Sequence, residues 1–297
     1  MINNKFPSKD VTHEDLLSKF PLAAKKDESH SSIIEIAGVP FGSELIPIFA
    51  GPNTVESKDL IIQTAISVAS SGAHFLRGGA FKPLTFPYRS EKYREPREIG
   101  IEWLGNAKEE TGLPVITEIM EERHLDCMKN IVDILQIGTR NMQNFPLLKE
   151  CARSGKAIML KRGFGASLRD WLGAAEYILY EGNPNIILCE RGVVAPHTHR
   201  ETSRYLLDLQ VIPAAKEITH LPVVADPSHA TFWKPWVAPM AMASIAAGAD
   251  GVMIEVHPDP SNSAVDPLQP MDFIEFQELM PRMDATAIAC WNRKVIK

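Results

Sequence analysis

The feature that most constrains the fold is a succession of eight short apolar runs, each ending in polar residues or glycine. Segments whose apolar residues recur with helical spacing separate these runs. In chain order the runs occupy residues 46–53, 73–77, 114–118, 134–138, 157–161, 186–190, 222–226 and 251–255. Continuous apolar runs are typical of parallel strands buried on both faces. In a chain of 297 residues, eight such strands alternating with helices predict a single TIM (β/α)8 barrel of the α/β class, not an open doubly wound sheet.

The segments outside this repeat predict short additions to the barrel. Residues 1–31 are mostly polar and charged, with one helical patch at residues 12–25. Residues 33–46 have the pattern of a hairpin that leads into the first strand. We therefore expect an N-terminal arm over residues 1–31, a barrel with its leading hairpin over residues 32–283, and a C-terminal tail over residues 284–297. Among the predicted barrel helices is one over residues 202–218.

Composition excludes several classes of protein. The net charge is -6 and no run of Lys and Arg is longer than a pair, which argues against a nucleic-acid surface. No apolar run approaches about 18 residues and no secretory leader is present, so we expect neither a membrane span nor export. The four cysteines form no C-x-x-C pair and are interpreted as reduced thiols. These observations favour a cytoplasmic protein.

The polar residues that end the apolar runs are the first indication of function. In a TIM barrel the carboxyl ends of all strands meet on one face, so these residues are expected to converge. They comprise the six cations Arg77, Lys82, Arg140, Lys161, Arg162 and Arg191 and the partners Asn53, Glu118, Gln136, Glu190, Asp226, His229, Glu255 and His257. Buried cations are costly unless an anion neutralises them. We therefore expect a substrate that bears phosphate or carboxylate, with internal ion pairs to Glu118 and Glu190 as the alternative.

The stretch over residues 76–88 carries two of these cations. Arg77 can grip an oxyanion with its planar fork, and Lys82 can supply a point charge. Gly78 and Gly79 are expected to let main-chain N–H groups approach a ligand. The alternative is a solvated surface turn, since glycine-rich loops are common.

A second set of residues has the chemistry of metal ligands. His229, Glu255 and Asp266 together supply one imidazole and two carboxylates, which suit Mn, Fe, Co or Zn. A histidine and a carboxylate at strand ends are equally well explained as a hydrogen-bonded pair. Residue types alone leave both interpretations open.

Six ordered blocks of the sequence lie at residues 76–83, 135–144, 160–163, 181–192, 226–231 and 255–260. Together they resemble a known family, the 3-deoxy-D-arabino-heptulosonate 7-phosphate (DAHP) synthases, in particular their short Iβ branch. The resemblance extends from about residue 33 to residue 283. Related to this family are the 3-deoxy-octulosonate 8-phosphate synthases.

This resemblance implies a transferase that condenses phosphoenolpyruvate with erythrose 4-phosphate and releases phosphate, a step of the shikimate pathway to aromatic amino acids. It implies that Arg140, Lys161 and Arg191 hold the phosphate of phosphoenolpyruvate, and that Arg77 and Lys161 hold its carboxylate. Lys82 would lie near the reacting aldehyde. The full set of implied substrate-binding residues is Arg77, Lys82, Thr85, Glu118, Gln136, Arg140, Lys161 and Arg191. Lys82, Asn53 and His229 would be catalytic, and a homodimer or homotetramer is expected.

The chain departs from the family at the metal site. Asn53 stands where metal-dependent members have cysteine, while His229, Glu255 and Asp266 match the other ligands. Replacing a thiolate by a neutral amide weakens the binding of a transition metal. A metal-independent class of the octulosonate synthases carries asparagine at this position. We therefore favour metal-independent or weakly metal-assisted chemistry, in which the amide orients the acceptor or the attacking water.

Two further departures concern the acceptor. Where the family has arginine and serine to grip the distal phosphate of the aldose, this chain has Leu84 and Phe86, so only Thr85 remains. Either a cation in the next turn (Arg89, Lys92 or Arg94) takes over, or the acceptor is a different aldehyde. The loop over residues 193–203 is longer than in the family and contains His197, His199 and Arg200. These residues either bind the acceptor or belong to a solvated loop.

Three hypotheses follow from the sequence. The protein makes DAHP; or it is a paralogue that condenses phosphoenolpyruvate with another aldehyde, with secondary metabolism as one setting; or it is a barrel that has lost turnover and acts as a binding subunit. The retained cations argue against the third hypothesis, because converging charges are costly in a site that binds nothing.

Overall fold

Eight parallel strands close into a barrel in the computed structural model, which describes residues 13–82, 95–197, 199–201 and 205–296. The strands are β1 Ile34–Ile36, β2 Val39–Phe41, β3 Ile48–Gly51, β4 Phe75–Arg77, β5 Val115–Ile119, β6 Ile134–Ile137, β7 Ala157–Lys161, β8 Ile186–Glu190, β9 Val193–Val194, β10 Tyr205–Leu206, β11 Val223–Ala225 and β12 Gly251–Glu255. The barrel order is β3, β4, β5, β6, β7, β8, β11, β12, and β12 pairs with β3 to close it. The predicted TIM barrel is confirmed.

Helices follow the barrel strands. They are α1 His13–Lys19, α2 Lys58–Ser70, α3 Glu98–Thr111, α4 Leu125–Met128, α5 Phe145–Arg153, α6 Leu168–Tyr180, α7 Val211–Ile218, α8 Pro227–Thr231, α9 Lys234–Ala246 and α10 Phe273–Trp291. Apolar side chains between the strands and this outer layer form the larger of two hydrophobic clusters. None of the helices in the described ranges is both long enough and apolar enough to cross a membrane.

The predicted hairpin is formed by β1 and β2, and it belongs to the second cluster, which fills the barrel. The Phe41 ring of β2 is stacked on Phe49, with centroids 5.6 Å apart, and is tilted against Phe75, with centroids 5.5 Å apart. Side chains from alternate strand positions complete this cluster. The hairpin thus packs against the interior of the barrel, while the polar strand ends lie at the opposite, carboxyl end.

Two predicted helices are shorter than expected. The predicted helix over residues 202–218 begins only at Val211, because Tyr205 and Leu206 instead pair with Val194 and Val193 in an antiparallel ribbon. The helical patch over residues 12–25 ends at Lys19 within the described residues. Pro21 explains this end, since proline lacks an N–H and disfavours helical geometry at the preceding residue.

The two terminal segments pack against the barrel. Leu16 and Phe20 are buried in the larger cluster, and Glu176 of α6 accepts the main-chain N–H groups of Leu22 and Ala23 at 2.9 and 2.6 Å. At the other end, α10 runs on to Trp291, so the boundary expected at residue 283 falls inside a helix. The division into arm, barrel and tail remains a prediction.

Candidate active site

The carboxyl ends of the strands bring together the polar residues that follow them. Asn53 after β3, Arg77 at the end of β4, Lys161 at the end of β7 and Glu255 at the end of β12 are all buried, with at most 4% of their surface exposed. Gly51 makes the crowding possible. Its φ is +143°, and a Cβ there would lie 2.2 Å from the carbonyl oxygen of Arg77. Glycine therefore lets the chain pass Arg77 closely and brings Asn53 beside it.

Asn53 is hydrogen-bonded to several of the predicted residues. Its Nδ2 donates to Oδ2 of Asp266 at 2.8 Å, and its Oδ1 accepts from Nη2 of Arg77 at 3.4 Å. The same Oδ1 lies 3.3 Å from Nε2 of His229. Oε2 of Glu255 lies 3.7 Å from that nitrogen and 3.8 Å from Nη1 of Arg77. A neutral amide thus lies among two carboxylates, an imidazole and a guanidinium.

Asp226 joins Lys161 to His229. Its Oδ2 lies 2.5 Å from Nζ of Lys161 and 2.9 Å from Nδ1 of His229. Its Oδ1 accepts the main-chain N–H of His229 at 3.1 Å, which caps the first turn of α8. Because this short helix starts directly after β11, the His229 side chain folds back onto the carboxylate that precedes it.

Burial and neighbouring charges shift the pKa values of this group. Burial opposes ionisation of Asp226, but His229 and Lys161 outweigh it and hold the Asp226 pKa well below its usual range. Burial also holds the pKa of His229 well below its ordinary value, although Asp226 opposes this. The surroundings therefore favour an ionised Asp226 carboxylate and an uncharged His229 imidazole, with Nδ1 of His229 within hydrogen-bonding distance of Asp226. Burial raises the pKa of Glu255 to about 8.

Lys82 and Glu118 face each other across the ends of β4 and β5, with Nζ 4.0 Å from Oε2. Burial lowers the pKa of Lys82, while the charge of Glu118 opposes the change. Gln136 is buried next to Glu118 because the two residues are in register on β5 and β6. The Glu118 carboxylate packs against Gly138, where a Cβ would lie 1.8 Å from its Oε1.

Arg162 follows β7, is 7% exposed, and is held by partners within the chain. Its Nη1 donates to Oε2 of Glu190 at 3.1 Å and to Oδ2 of Asp208 at 2.8 Å, and its Nε donates to the carbonyl of Ala166 at 2.9 Å. Oε1 of Glu190 accepts the main-chain N–H of Gly192 at 2.7 Å. For Arg162, the alternative of internal ion pairs with Glu190 is the observed arrangement.

Arg191 follows β8 and is equally buried, but its surroundings are aromatic. Its Cζ lies 4.4 Å from the centroid of the Tyr205 ring and 5.0 Å from that of Phe164. Its Nη1 is buried with no hydrogen-bond partner among the described residues. Burial lowers the pKa of this guanidinium, and the charge of Asp226 opposes the change. Arg140, which is exposed, lies with its Cζ 5.7 Å from the Phe164 centroid.

One expectation about the glycines is wrong. The N–H of Gly79 donates to the carbonyl of Asn53 at 3.2 Å, and the N–H of Gly78 donates to that of Ile116 at 3.4 Å. These groups hold the barrel together and are not available to a ligand. The two glycines are needed for packing, since a Cβ on Gly78 would lie 2.9 Å from the side chain of Val55.

Several predicted acceptor residues lie outside the described residues, namely Leu84, Thr85, Phe86, Arg89, Lys92 and Arg94. The long loop is described except for residues 198 and 202–204. Cζ of Arg200 lies 3.6 Å from the Trp233 ring, and the His199 ring meets Trp236 edge-on at 6.3 Å. His197, His199 and Trp236 help to line a cavity of about 340 Å³.

The predicted metal ligands are close together but are not arranged around a common point. Across the described ranges, no group of three or more His, Cys, Asp and Glu side chains is placed to hold a metal ion. Asp266 accepts a hydrogen bond from Nδ2 of Asn53 at 2.8 Å, and Nε2 of Gln269 donates to Oε2 of Glu255 at 2.6 Å. Asn53 supplies a neutral amide where a thiolate would supply a charged, soft donor, which lowers the affinity of this set for a transition metal.

Four residues of the site were not predicted from the sequence: Phe164, Tyr205, Asp208 and Gln269. Phe164 comes directly after the block at residues 160–163, and its position beyond a strand end was a usable signal. Tyr205 and Asp208 fell within the predicted helix over residues 202–218, which hid them. Gln269 lies in the irregular segment between β12 and α10, and no sequence pattern pointed to it.

The fold and the site define a TIM barrel with buried cations at the carboxyl ends of its strands. Comparison with known proteins gives the family: the chain matches the DAHP synthetase I family over residues 26–289. It is 36% identical over 291 residues to a phospho-2-dehydro-3-deoxyheptonate aldolase of Thermotoga maritima, covering 97% of this chain and 84% of that protein. The protein therefore belongs to the DAHP synthetase I family, as the sequence blocks indicated.

Other relatives agree with this assignment. A 2-dehydro-3-deoxyphosphooctonate aldolase of Caulobacter vibrioides is 27% identical over 274 residues, covering 85% of this chain and 93% of that protein. The crystal structure of the Thermotoga maritima DAHP synthase superimposes with a TM-score of 0.85 at 37% identity, over 92% of this chain and 78% of that one. A truncated form of the Thermotoga enzyme gives a TM-score of 0.83 at 36% identity, over 93% of this chain and 99% of that one.

Proposed function

We propose that the protein is a DAHP synthase, a transferase that joins C3 of phosphoenolpyruvate to the aldehyde carbon of erythrose 4-phosphate. Water adds at C2, and inorganic phosphate leaves. The name of the Thermotoga maritima relative, phospho-2-dehydro-3-deoxyheptonate aldolase, supports this reaction. The observation that carries the proposal is Arg191, a buried guanidinium whose Nη1 has no partner in the described chain and which therefore needs an anionic ligand.

We assign the phosphate of phosphoenolpyruvate to Arg191, Arg140 and Lys161, and its carboxylate to Arg77 and Lys161. Lys161 and Arg77 are buried, with carboxylates 2.5 and 3.8 Å away. These acidic partners hold the two cations in place before the substrate arrives. Preorganised cations of this kind fix the enol and stabilise negative charge that develops during the reaction.

We assign the aldehyde end of the site to Lys82, with Glu118, Gln136 and Thr85. The lowered pKa of Lys82 suits a group that gives a proton to the oxygen formed from the aldehyde, because proton transfer is easiest when the donor pKa is near the working pH. The product keeps that proton on its new hydroxyl, so Lys82 would regain a proton from the water that adds at C2. The Glu118 carboxylate, 4.0 Å away, would hold the Lys82 ammonium in place. Thr85 is assigned on sequence alone.

We propose that the reaction needs no tightly bound metal. In this chain Asn53 and His229 would orient the acceptor or the attacking water, and Glu255 and Asp266 would be remnants of a ligand set. The hydrogen bonds from Asn53 to Asp266 and from Arg77 to Asn53 support this, because the Asn53 amide then serves as the hydrogen-bond partner of both charged side chains. Activity should persist after exhaustive chelation, and Asn53→Cys should gain stimulation by Mn or Zn. Complete loss on chelation that either metal restores would contradict the proposal.

A different acceptor aldehyde is the second candidate function. Leu84 and Phe86 stand where the family grips the distal phosphate of the aldose, and neither side chain can bind phosphate. The similarity to 2-dehydro-3-deoxyphosphooctonate aldolases extends over most of the chain, which favours a related condensation. A third possibility, a binding subunit without turnover, would leave the converging cations without a purpose.

One assay separates these functions. Phosphate release from phosphoenolpyruvate is measured with erythrose 4-phosphate and then with a panel of other phosphorylated and unphosphorylated aldehydes. The proposal predicts the highest kcat/KM with erythrose 4-phosphate. A higher value with another aldehyde would favour the paralogue, and binding of phosphoenolpyruvate without turnover on any acceptor would favour the binding subunit.

We further propose that the protein works in the cytoplasm as a homodimer or homotetramer. Cys127, Cys151, Cys189 and Cys290 are not joined in disulfides, which supports an intracellular setting. The resemblance to the family supports self-association. Sedimentation velocity of the purified chain tests the second statement, and a monomer at micromolar concentration would contradict it.

A further inference from the structure

We propose that Phe164 and Tyr205 are positioning residues for the phosphate of phosphoenolpyruvate: their rings orient the guanidinium of Arg191, and Phe164 also that of Arg140, without neutralising them. The proposal rests on the function proposed above, which assigns this phosphate to Arg140 and Arg191. It adds the reason why a donor of Arg191 stays available for the ligand.

The rings of Phe164 and Tyr205 form a stacked pair, here called the aromatic platform. The rings of Phe164 and Tyr205 are stacked, with centroids 4.9 Å apart and planes inclined by 8°. Cζ of Arg191 is 4.4 Å from one centroid and 5.0 Å from the other. Cζ of Arg140 is 5.7 Å from the Phe164 centroid, so both arginines assigned to the phosphate contact this ring.

An aromatic ring orients a guanidinium differently from a carboxylate. Its electron-rich face attracts the cation, but the ring carries no net charge to cancel it. The N–H donors at the edge of the guanidinium stay available, whereas a carboxylate occupies two of them. Nη1 of Arg191 is indeed buried without a protein partner in the described ranges. The acids whose charges act on Arg191, Asp226 and Glu190, are bonded to Lys161 and Arg162 instead.

The local structure fixes the platform. Phe164 accepts the main-chain N–H of Val194 at 2.8 Å, and Val194 pairs with Tyr205 across β9 and β10. Oε1 of Glu190 accepts the main-chain N–H groups of Gly192 and Asp208 at 2.7 and 3.2 Å, which ties together the two ends of this ribbon. The ribbon therefore positions the Tyr205 ring next to both Phe164 and Arg191.

Packing alone is the competing explanation, since both rings bury apolar surface. The two explanations differ in what they predict for phosphoenolpyruvate. A packing role predicts lower stability with unchanged affinity, whereas a positioning role predicts weaker binding of phosphoenolpyruvate while kcat and the KM of the acceptor change little.

The experiment compares the full-length protein with Phe164→Leu, Tyr205→Leu, and the ring-preserving variants Phe164→Tyr and Tyr205→Phe. Tyr180→Leu is the matched control, because Tyr180 is an exposed aromatic residue on α6, away from the site. The dissociation constant of phosphoenolpyruvate without acceptor is measured by titration calorimetry, and KM and kcat by phosphate release. Each leucine variant should bind phosphoenolpyruvate about 5- to 30-fold more weakly, with kcat within about twofold of the parent. The ring-preserving variants and the control should remain within about twofold of the parent.

Three results would overturn the inference. The first is that the leucine variants bind phosphoenolpyruvate as tightly as the parent. The second is that Tyr205→Phe loses as much affinity as Tyr205→Leu, which would assign the effect to the hydroxyl. The third is that kcat falls as steeply as affinity. If circular dichroism shows that a leucine variant does not fold, its ring-preserving counterpart and the leucine variant at the other ring still test the inference. Failure of the parent protein to bind phosphoenolpyruvate would instead overturn the proposed function.

Discussion

Arg162 and Arg191 occupy matching places at the ends of the neighbouring strands β7 and β8, and each is 7% exposed. Arg162 is bonded to two carboxylates and a carbonyl, and none of these partners is a ligand. Arg191 lies against two rings and keeps an unpartnered nitrogen. The difference shows that the burial of a cation does not distinguish a structural role from a binding role. The chemistry of its neighbours does.

The largest effect is expected at Arg162, the arginine whose partners are carboxylates. Arg162→Met leaves Glu190 buried without its cation, so we expect the free energy of unfolding to fall by about 3 to 5 kcal/mol. Urea denaturation followed by circular dichroism measures it. Arg169→Met, an exposed arginine on α6, is the matched control and should change stability by less than about 0.5 kcal/mol. Equal stability of the two variants would mean that Arg162 is not a structural cation.

The next largest effect is expected at Arg191, which lies against the two aromatic rings. Arg191→Met should lower kcat/KM for phosphoenolpyruvate by an amount that corresponds to about 2 to 4 kcal/mol, because a buried charged donor to the substrate phosphate is lost. Its unfolding free energy should change less than that of Arg162→Met, since no carboxylate is left unpaired. Steady-state kinetics with urea denaturation of the same samples measures both quantities. Arg191→Lys keeps the charge but not the fork and should fall between the parent and Arg191→Met. Full activity in Arg191→Met would reject its assignment to the substrate.

A smaller effect tests how much each of its two carboxylate partners, Asp208 and Glu190, contributes to holding Arg162. Asp208→Asn removes one of its two carboxylate partners, while Glu190 remains. We expect a loss of about 1 to 2 kcal/mol in unfolding free energy, which is less than for removal of the cation itself. Thermal and urea unfolding measure the loss. A loss as large as that of Arg162→Met would show that Asp208 alone holds the guanidinium.

The smallest effect concerns the pH dependence of stability, which should change on replacing Glu190, beside Arg162, but not on replacing Tyr205, beside Arg191. Burial raises the pKa of Glu190, although Arg162 opposes the change. The folded protein then binds this proton more tightly than the unfolded chain, so the contribution of Glu190 to stability is fully present below the unfolded pKa and is lost as pH rises through the folded one. Glu190→Gln should flatten this dependence above about pH 4, the usual pKa of glutamate. Tyr205→Phe, on the aromatic side, should leave the slope unchanged. Melting temperatures between about pH 4.5 and 7.5 in matched buffers provide the measurement. Identical slopes for Glu190→Gln and the parent would contradict the assignment.

Much of the fold could be predicted because strand and helix patterns are local. The apolar runs predicted all eight barrel strands, and the hairpin of β1 and β2 was also correct. The failures have local causes too. Pro21 ends the first helical patch, and Tyr205 and Leu206 pair with residues 193–194, a contact that helical periodicity cannot reveal. A ribbon of two residues on each side has no periodic signal of its own.

The site was predictable to the extent that its residues end strands. Asn53, Arg77, Lys161 and Glu255 follow this rule, and the barrel brings them together. The glycines of residues 78 and 79 did not follow it, because their N–H groups are used by neighbouring strands. Gln269 and Asp208 could not have been found, since each contacts its partner across a loop without regular structure.

The sequence by itself determined the barrel, the family, and the list of charges at the carboxyl ends of the strands, because hydrophobic periodicity and the ends of apolar runs are written in short segments. Only the tertiary structure decided which of those charges are neutralised within the chain. Arg162 and Arg191 have the same chemistry and the same place in the repeat. Partners far away in sequence, Asp208 for one and Tyr205 for the other, give them different environments, and electrostatic interactions at hydrogen-bond distance depend on those environments.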